Sequence, residues 1–306
     1  MLTYPIWDEA VGKVPWDEID PMVEDFPVIG RDTRMAILGC CFFQRMAPFF
    51  RAAGHAVYMT EAPSGDKAFA SARFGTVVSA RQSLQLFQRA YGEIDVPDSV
   101  GIWTRKADGL LIDALRPGFA DAFATAREVK QDRAAHLAAV REMFENAEVI
   151  LYSIGQTECW LSRSSGLFYP VQPGAMNRDF NADDIAFKNF TVTEVVADFT
   201  EFLSRLRGVN PVVKVILAVS PLPIIATFER GRHVLTANSR SKSVLRAAVD
   251  EICSTHGNTH YFPAYEMIAG PQAGGKLHEQ NMRLVTDAGL SMAMRLLMRH
   301  FSTGEA

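Results

Sequence analysis

Cysteine is scarce in this chain, and neither sign of charge dominates. Only four of the 306 residues are cysteine: Cys40, Cys41, Cys159 and Cys253. Two of these are neighbours, which rarely pair with each other, and no Cys-x-x-Cys or Cys/His spacing occurs. A disulfide framework and a zinc site are thereby excluded as organising features, and the reducing cytoplasm is the expected compartment. With 31 basic against 35 acidic residues the net charge is −4, so no electrostatic footprint for nucleic acid exists. No apolar run approaches the ~18 residues of a membrane span, and no membrane association is expected. The opening stretch Met1-Leu2-Thr3-Tyr4-Pro5 leads to acids rather than to a basic cluster, unlike a secretory leader. Internal repeats and low-complexity tracts are missing too. No motif calls for a metal or an organic cofactor, so none is expected.

What is present is ordinary globular material, 48% hydrophobic and 22% charged. Residues 1–33 hold four prolines and two tryptophans and read as an irregular arm. Residues 34–306 read as a single α/β domain. Five continuous apolar runs suit buried parallel strands: 34–38, 55–59, 148–154, 212–219 and 259–262. Helical patterns lie between them, at 42–53, 77–91, 119–146, 193–207, 239–255 and 284–300, several of them followed by glycine. Strands alternating with helices predict a three-layer, doubly wound fold. About five strands suit the flavodoxin-like order 2-1-3-4-5. Two segments break the rhythm and read as insertions, near 96–118 and 161–189.

The sharpest local signal is Gly39-Cys40-Cys41. It follows the first apolar run and opens the first helical pattern. A side chain there sits on a strand-to-helix corner beside unpaired N–H groups and a partial positive charge, which favour a thiolate or an oxyanion. Small packed cysteines beneath a helix are the plainer reading. Ligands in open α/β sheets bind beyond the carboxyl ends of the strands. Polar or small residues follow the other runs as well: Gly155-Gln156-Thr157-Glu158-Cys159-Trp160, Ser220-Pro221-Leu222-Pro223 and Pro263-Ala264-Tyr265-Glu266.

Together with Phe74-Gly75-Thr76, Ser241-Lys242-Ser243-Val244-Leu245-Arg246 and Asn281-Met282-Arg283-Leu284-Val285, this ordered series resembles the GSCFA domain family. The family is regarded as related to SGNH/GDSL hydrolases, which cleave or transfer acyl groups on a flavodoxin-like sheet. The resemblance implies that Cys40 stands where the family has its presumed nucleophilic serine. It gives Gly75 and either Gln156 or Thr157 to the oxyanion hole. Glu158 and Trp160 match a Thr-Glu-x-Trp element. The Asp-x-x-His element of the wider hydrolases falls on Asn281 and Leu284, so the base-bearing histidine is replaced by leucine.

A base must therefore come from elsewhere. Among seven histidines, His233 and His278 lie in loops on the expected side. A surface-loop role is the plainer reading of each. Glu158 could pair with Arg283, hold a substrate hydroxyl or act as a base, or it could simply cap a helix. Lys242 and Arg246, four apart on one helix, read as a solvated face or as an anion contact. The expected function is an ester or thioester hydrolase or an acyltransferase. Its substrate would be a small molecule or glycan, with catalytic candidates Cys40, Glu158, His233, His278 and Asn281. The binding candidates are Gly75, Gln156, Thr157, Trp160, Tyr265 and Arg283. Alternatives are a non-catalytic binding domain and a non-covalent enzyme built on Glu158.

Overall fold

A computed structural model describes residues 5–62, 70–119 and 121–304. In chain order the elements are β1 (Met35–Gly39), α1 (Cys41–Ala52), α2 (Ala80–Ala90), α3 (Asp98–Gly101), β2 (Ile102–Thr104), β3 (Leu111–Asp113), α4 (Ala126–Asn146) and β4 (Val149–Ile154). Then come β5 (Glu158–Ser162), β6 (Phe168–Tyr169), β7 (Ile185–Asn189), α5 (Val192–Val209), β8 (Lys214–Val219), α6 (Val234–Thr255), β9 (Thr259–Tyr261), α7 (Ala264–Ala269) and α8 (Asp287–Phe301).

The central sheet is parallel, in the order β1-β4-β8-β9. Every residue of β1 and β4 is buried, which explains why these runs are continuously apolar instead of alternating. The expected fifth strand is reduced to one parallel bridge, Met35 to Val57, on the outer edge of β1. There Tyr58 N donates to Met35 O at 2.8 Å. One step on, Ile37 N is satisfied by Ser71 Oγ at 3.0 Å, so a side chain replaces the next rung. With Val57 counted as a vestigial strand, the order remains the flavodoxin-like one.

Helix starts are set by caps more than by hydrophobic period. Ser79 with Gln82, Thr125 with Glu128 and Thr191 with Glu194 each form a reciprocal capping box. The predicted helix 119–146 therefore begins only at Ala126. The region 96–118 holds the short antiparallel β2–β3 pair. Residues 158–189 contain a three-stranded antiparallel sheet, β6-β5-β7, where the sequence marks an insertion from 161 onward. Trp103 and Tyr169 pack across these two regions with ring centroids 5.1 Å apart. The arm before β1 is tied to the end of α8. His300 bonds Asp25 at 2.7 Å and Asp20 at 2.8 Å, and Ile29 bridges to Ser302.

The corner after β1 demands a glycine. Gly39 has φ +105°, and a Cβ there would lie 2.3 Å from the Ser153 carbonyl oxygen. Backbone cannot yield as a flexible side chain would. Gly39→Ala is expected to cost about 3 kcal/mol or more of stability in a denaturant titration. A loss below about 0.5 kcal/mol, the range of a neutral surface change, would contradict this packing.

Candidate active site

Cys40 is the N-cap residue of α1, in extended conformation (φ −81°, ψ 177°), and its side chain makes no capping bond. The first N–H groups of α1 thus receive no bond from the N-cap side chain, an arrangement that favours negative charge at a helix start. Three contacts join Cys40 to Ser153 on β4. Cys40 N donates to Ser153 O at 2.8 Å. Ser153 Oγ donates to Cys40 O at 3.0 Å. The Cys40 sulfur lies 3.2 Å from the same hydroxyl. Because that hydroxyl spends its proton on the carbonyl, the thiol is the donor to Ser153 Oγ. Cys40 is 5% exposed and packs in the main hydrophobic core, so its sulfur lies beneath the surface.

A second wall comes from the β4–β5 turn and α6. Gly155 faces Cys40 so closely that a Cβ on Gly155 would lie 3.2 Å from that of Cys40. The Gly155 carbonyl accepts a hydrogen bond from Lys242 Nζ at 2.7 Å. Lys242 is 1% exposed, the opposite of a solvated face. Burial pushes its ammonium down to about 8, against a smaller upward pull from the Cys40 and Cys41 thiols and a downward push from Arg283. Burial and the neighbouring Cys40 push Cys41 up to about 11, opposed by Arg283 and Arg45. Cys41 is accordingly a protonated thiol at neutral pH.

A third wall is the Gly75 loop. Gln44, in the first turns of α1, donates to Gly75 O at 3.0 Å and to Gly39 O at 3.4 Å, and Val77 N donates to Gly39 O at 3.1 Å. Gly75 itself has φ +77°, and a Cβ there would meet the Phe119 ring at 2.7 Å. Three segments distant in sequence are therefore pinned around one sulfur. No group of three or more His, Cys, Asp or Glu side chains among the described residues could hold a metal ion.

The other candidates are placed as follows. Gln156 turns back to donate to Glu158 O at 2.8 Å. Thr157 is fully buried, its N–H bonded to Ser241 Oγ at 3.0 Å and its hydroxyl to Asn189 at 2.7 Å. Glu158 is buried and both its oxygens are engaged, one by Thr227 Oγ1 at 2.8 Å and the other by Phe228 N at 3.0 Å. It clamps a loop, so neither the helix cap nor a pair with Arg283 is seen. Trp160 is half-buried against Phe228 and Phe187, with centroids 5.0 and 5.4 Å away. His233 is exposed and caps α6, its Nδ1 accepting from Leu235 N at 3.2 Å. His278 is half-buried, and its Nε2 is sealed from water without a partner. Asn281 Oδ1 accepts from the backbone N–H groups of Arg283 and Leu284 at 2.9 and 3.0 Å, a tight turn that sets the Arg283 backbone. The Arg283 charge pulls the Cys41 thiol and the Lys242 ammonium down. Tyr265 lies beyond β9, three strands from β1, about 14 Å away at the usual strand spacing. Beside Tyr265, a cavity of about 400 Å³ runs under the N-terminal arm. The structure does not bring Tyr265 to the Cys40 corner.

Three residues near the corner escaped the sequence reading, Ser153, Gln44 and Arg45, and Lys242, which the sequence presents as a solvated face or an anion contact, is a buried amine at Gly155. Lys242 carried a usable signal. It stands among the buried residues of α6 with Leu245, Val249 and Ile252, a lysine on an apolar stripe. Ser153 sat inside a hydrophobic run, where a lone serine carries no distinguishing mark.

The sheet order and this corner define a flavodoxin-like α/β protein with a thiol at its first strand-to-helix turn. The chain belongs to the GSCFA family, whose model matches residues 34–297. No curated protein matches the sequence. Solved structures align along most of its length but resemble it only weakly. One, from Streptococcus pneumonia, is named provisionally as a platelet activating factor. It is 12% identical, with TM-score 0.37, over 92% of this chain and 86% of its own. A carbohydrate esterase family 3 protein from Talaromyces cellulolyticus is 10% identical, with TM-score 0.36, over 87% and 94%. An acetyl esterase mutant, S10A, is 12% identical, with TM-score 0.34, over 87% and 94%. No helix among the described residues is long and apolar enough to cross a membrane.

Proposed function

We propose that this protein is an acyl-group hydrolase or acyltransferase acting on an ester or thioester, with Cys40 as nucleophile and Lys242 taking its proton. The observation that carries this is the meeting, at Gly155, of a thiol on an uncapped helix start and a buried amine. With its pKa near 8, about one tenth of Lys242 is the neutral amine at pH 7, close to the optimum for a general base. The amine accepts the thiol proton, and the sulfur attacks the acyl carbon. The carbonyl oxygen gains the negative charge, facing the N–H groups of Cys41 and Gly75. Collapse expels the alcohol or thiol, which takes the proton back from Lys242. Water then cleaves the resulting thioester to give the acid and the free thiol, or an acceptor alcohol takes the acyl group.

This reading supplies a base without a histidine, which matters because Leu284 cannot serve. His233 is committed to its helix cap, and Glu158 already accepts two hydrogen bonds. The family relationship to SGNH hydrolases supports acyl chemistry. The half-exposed rings of Trp160, Phe187 and Phe228 suit a small-molecule or glycan acceptor. All four cysteines are free, which suits the cytoplasm.

Iodoacetamide tests the nucleophile. Cys40 is expected to be alkylated faster than Cys41, Cys159 or Cys253, with loss of aryl-ester turnover in step. The latter two thiols are pushed up to about 12 by burial. Sluggish alkylation of Cys40 in a protein without turnover would favour a binding domain instead.

A further inference from the structure

Away from the Cys40 corner, a cavity of about 400 Å³ separates the N-terminal arm from α7 and α8. Trp7, Val11 and Trp16 wall it on the arm side, and Tyr265, Met267 and Met292 on the domain side. Close-packed interiors leave few voids larger than a water molecule, and an apolar cavity of about 150 Å³ already takes benzene. The arm is held unevenly. Trp16 packs on the main core, Lys276 Nζ lies 4.9 Å from its ring centroid, and Arg295 donates to Asp17 O at 2.9 Å. Between residues 6 and 14, by contrast, every hydrogen bond and ion pair among the described residues is internal to that segment, and none of its residues is buried. Trp7 is 69% exposed although it lines the cavity. The outer wall is thus a strap whose polar bonds do not reach the domain. On the domain side most polar groups are engaged. Glu266 accepts from Arg246 Nε and from the Tyr261 hydroxyl, each at 2.6 Å, and Gln272 Nε2 donates to Glu266 O at 2.6 Å. The Tyr265 hydroxyl and Gln272 Oε1 have no hydrogen-bond partner among the described residues.

We propose that this cavity is a binding site for a neutral aromatic molecule of about two fused rings bearing one hydroxyl, closed over by the Trp7 strap. The volume lies within the range of small-molecule pockets, about 300–1,000 Å³, and walls on two sides make a slot for a small molecule, not a face for a protein. Two indole rings and two methionine sulfurs favour a π-system over an alkyl chain of equal area. Charge on the ligand is disfavoured in both signs. Glu266 repels an anion, and its own charge is already met by Arg246. Lys276 occupies the face of Trp16 that would attract a cation. The ligand hydroxyl accepts from Tyr265 and donates to Gln272 Oε1, the two wall groups left free. Cys40 takes no part, because Tyr265 lies beyond β9, at the opposite edge of the sheet from β1. The site is therefore independent of the acyl-transfer reading.

Equilibrium dialysis of 2-naphthol against the whole chain tests this. Binding at about 100 μM or tighter is expected, unchanged in Cys40→Ala and weakened roughly tenfold in Trp7→Ala. Ala269→Trp should weaken it as much, since the added ring fills the cavity from an exposed position and spares the core. Tyr265→Phe should cut the preference for 2-naphthol over naphthalene by about three- to tenfold and leave naphthalene binding unaltered. Trypsin gives a second readout. Lys13 is exposed on the strap, and cleavage after it should slow roughly tenfold at a 2-naphthol concentration about ten times Kd, because bound ligand holds the strap down. No binding below about 1 mM, equal binding by wild type, Trp7→Ala and Ala269→Trp, or unchanged cleavage after Lys13 at saturation overturns the proposal. Tighter binding of 1-decanol or of 2-naphthoate than of 2-naphthol overturns it as well.

Discussion

Cys40→Ala is expected to lower ester turnover by on the order of 10⁶-fold, the scale seen when a covalent nucleophile is removed while binding groups remain. The loss should fall on kcat. Gly75 and the start of α1 remain to bind substrate, and Lys242 remains where no thiol can use it. Cys40→Ser should recover little, because an alcohol is a far weaker acid than a thiol and Lys242 is a modest base. Steady-state kinetics on an activated aryl ester give the answer directly. Turnover that survives Cys40→Ala and disappears in Glu158→Gln would transfer the chemistry to the carboxylate, against the two bonds it already accepts from Thr227 and Phe228.

Lys242→Met carries the second large effect, and it separates function from stability. A folded-state pKa near 8 in place of 10.5 means that at pH 7 the fold holds a buried ammonium at a cost of about 3 kcal/mol. Its bond to Gly155 returns about 1 kcal/mol. Methionine fills a similar volume without charge, so the variant is expected to be about 1–2 kcal/mol more stable at pH 7 by denaturant titration. Its turnover should fall by on the order of 10²- to 10⁴-fold, the share of a general base. The pH dependence has a definite sign. Below pH 8 most of Lys242 is protonated, and only its shrinking neutral fraction can accept the thiol proton. Activity should therefore rise with pH through about 8 and then level off. Stability should also rise with pH between about 8 and 10.5, where the unfolded chain binds the proton that the folded one has released. A less stable Lys242→Met protein with unaltered kinetics would make the lysine a packing residue.

The sheet was legible because buried parallel strands are written as unbroken apolar runs. Four of the five runs are strands. The run at 55–59 failed because its place beside β1 is shared with Ser71, whose hydroxyl takes over the Ile37 rung, a non-local substitution that no local pattern records. Helix starts at Ala80 and Ala126 were misjudged for a different reason. Their capping boxes, Ser79 with Gln82 and Thr125 with Glu128, set the boundary, and the hydrophobic period runs on past it. The β6-β5-β7 sheet was lost among turn residues because its strands are short and pair across a long loop. The Cys40 corner was visible as Gly-Cys-Cys after a strand. Its surroundings were not, since Lys242 is brought to Gly155 only by the docking of α6 on the β4–β5 turn through Ser241 and Thr157.

Quenching the protein with acid seconds after mixing with an activated aryl ester, then mapping peptides by mass spectrometry, addresses the nucleophile itself. The expected result is one acyl group on the peptide carrying Cys40, present in Lys242→Met at a slower rate of formation and gone in Cys40→Ala. Steady turnover with no acyl group on Cys40 at any quench time, or an acyl group on another residue that Cys40→Ala leaves in place, would contradict it.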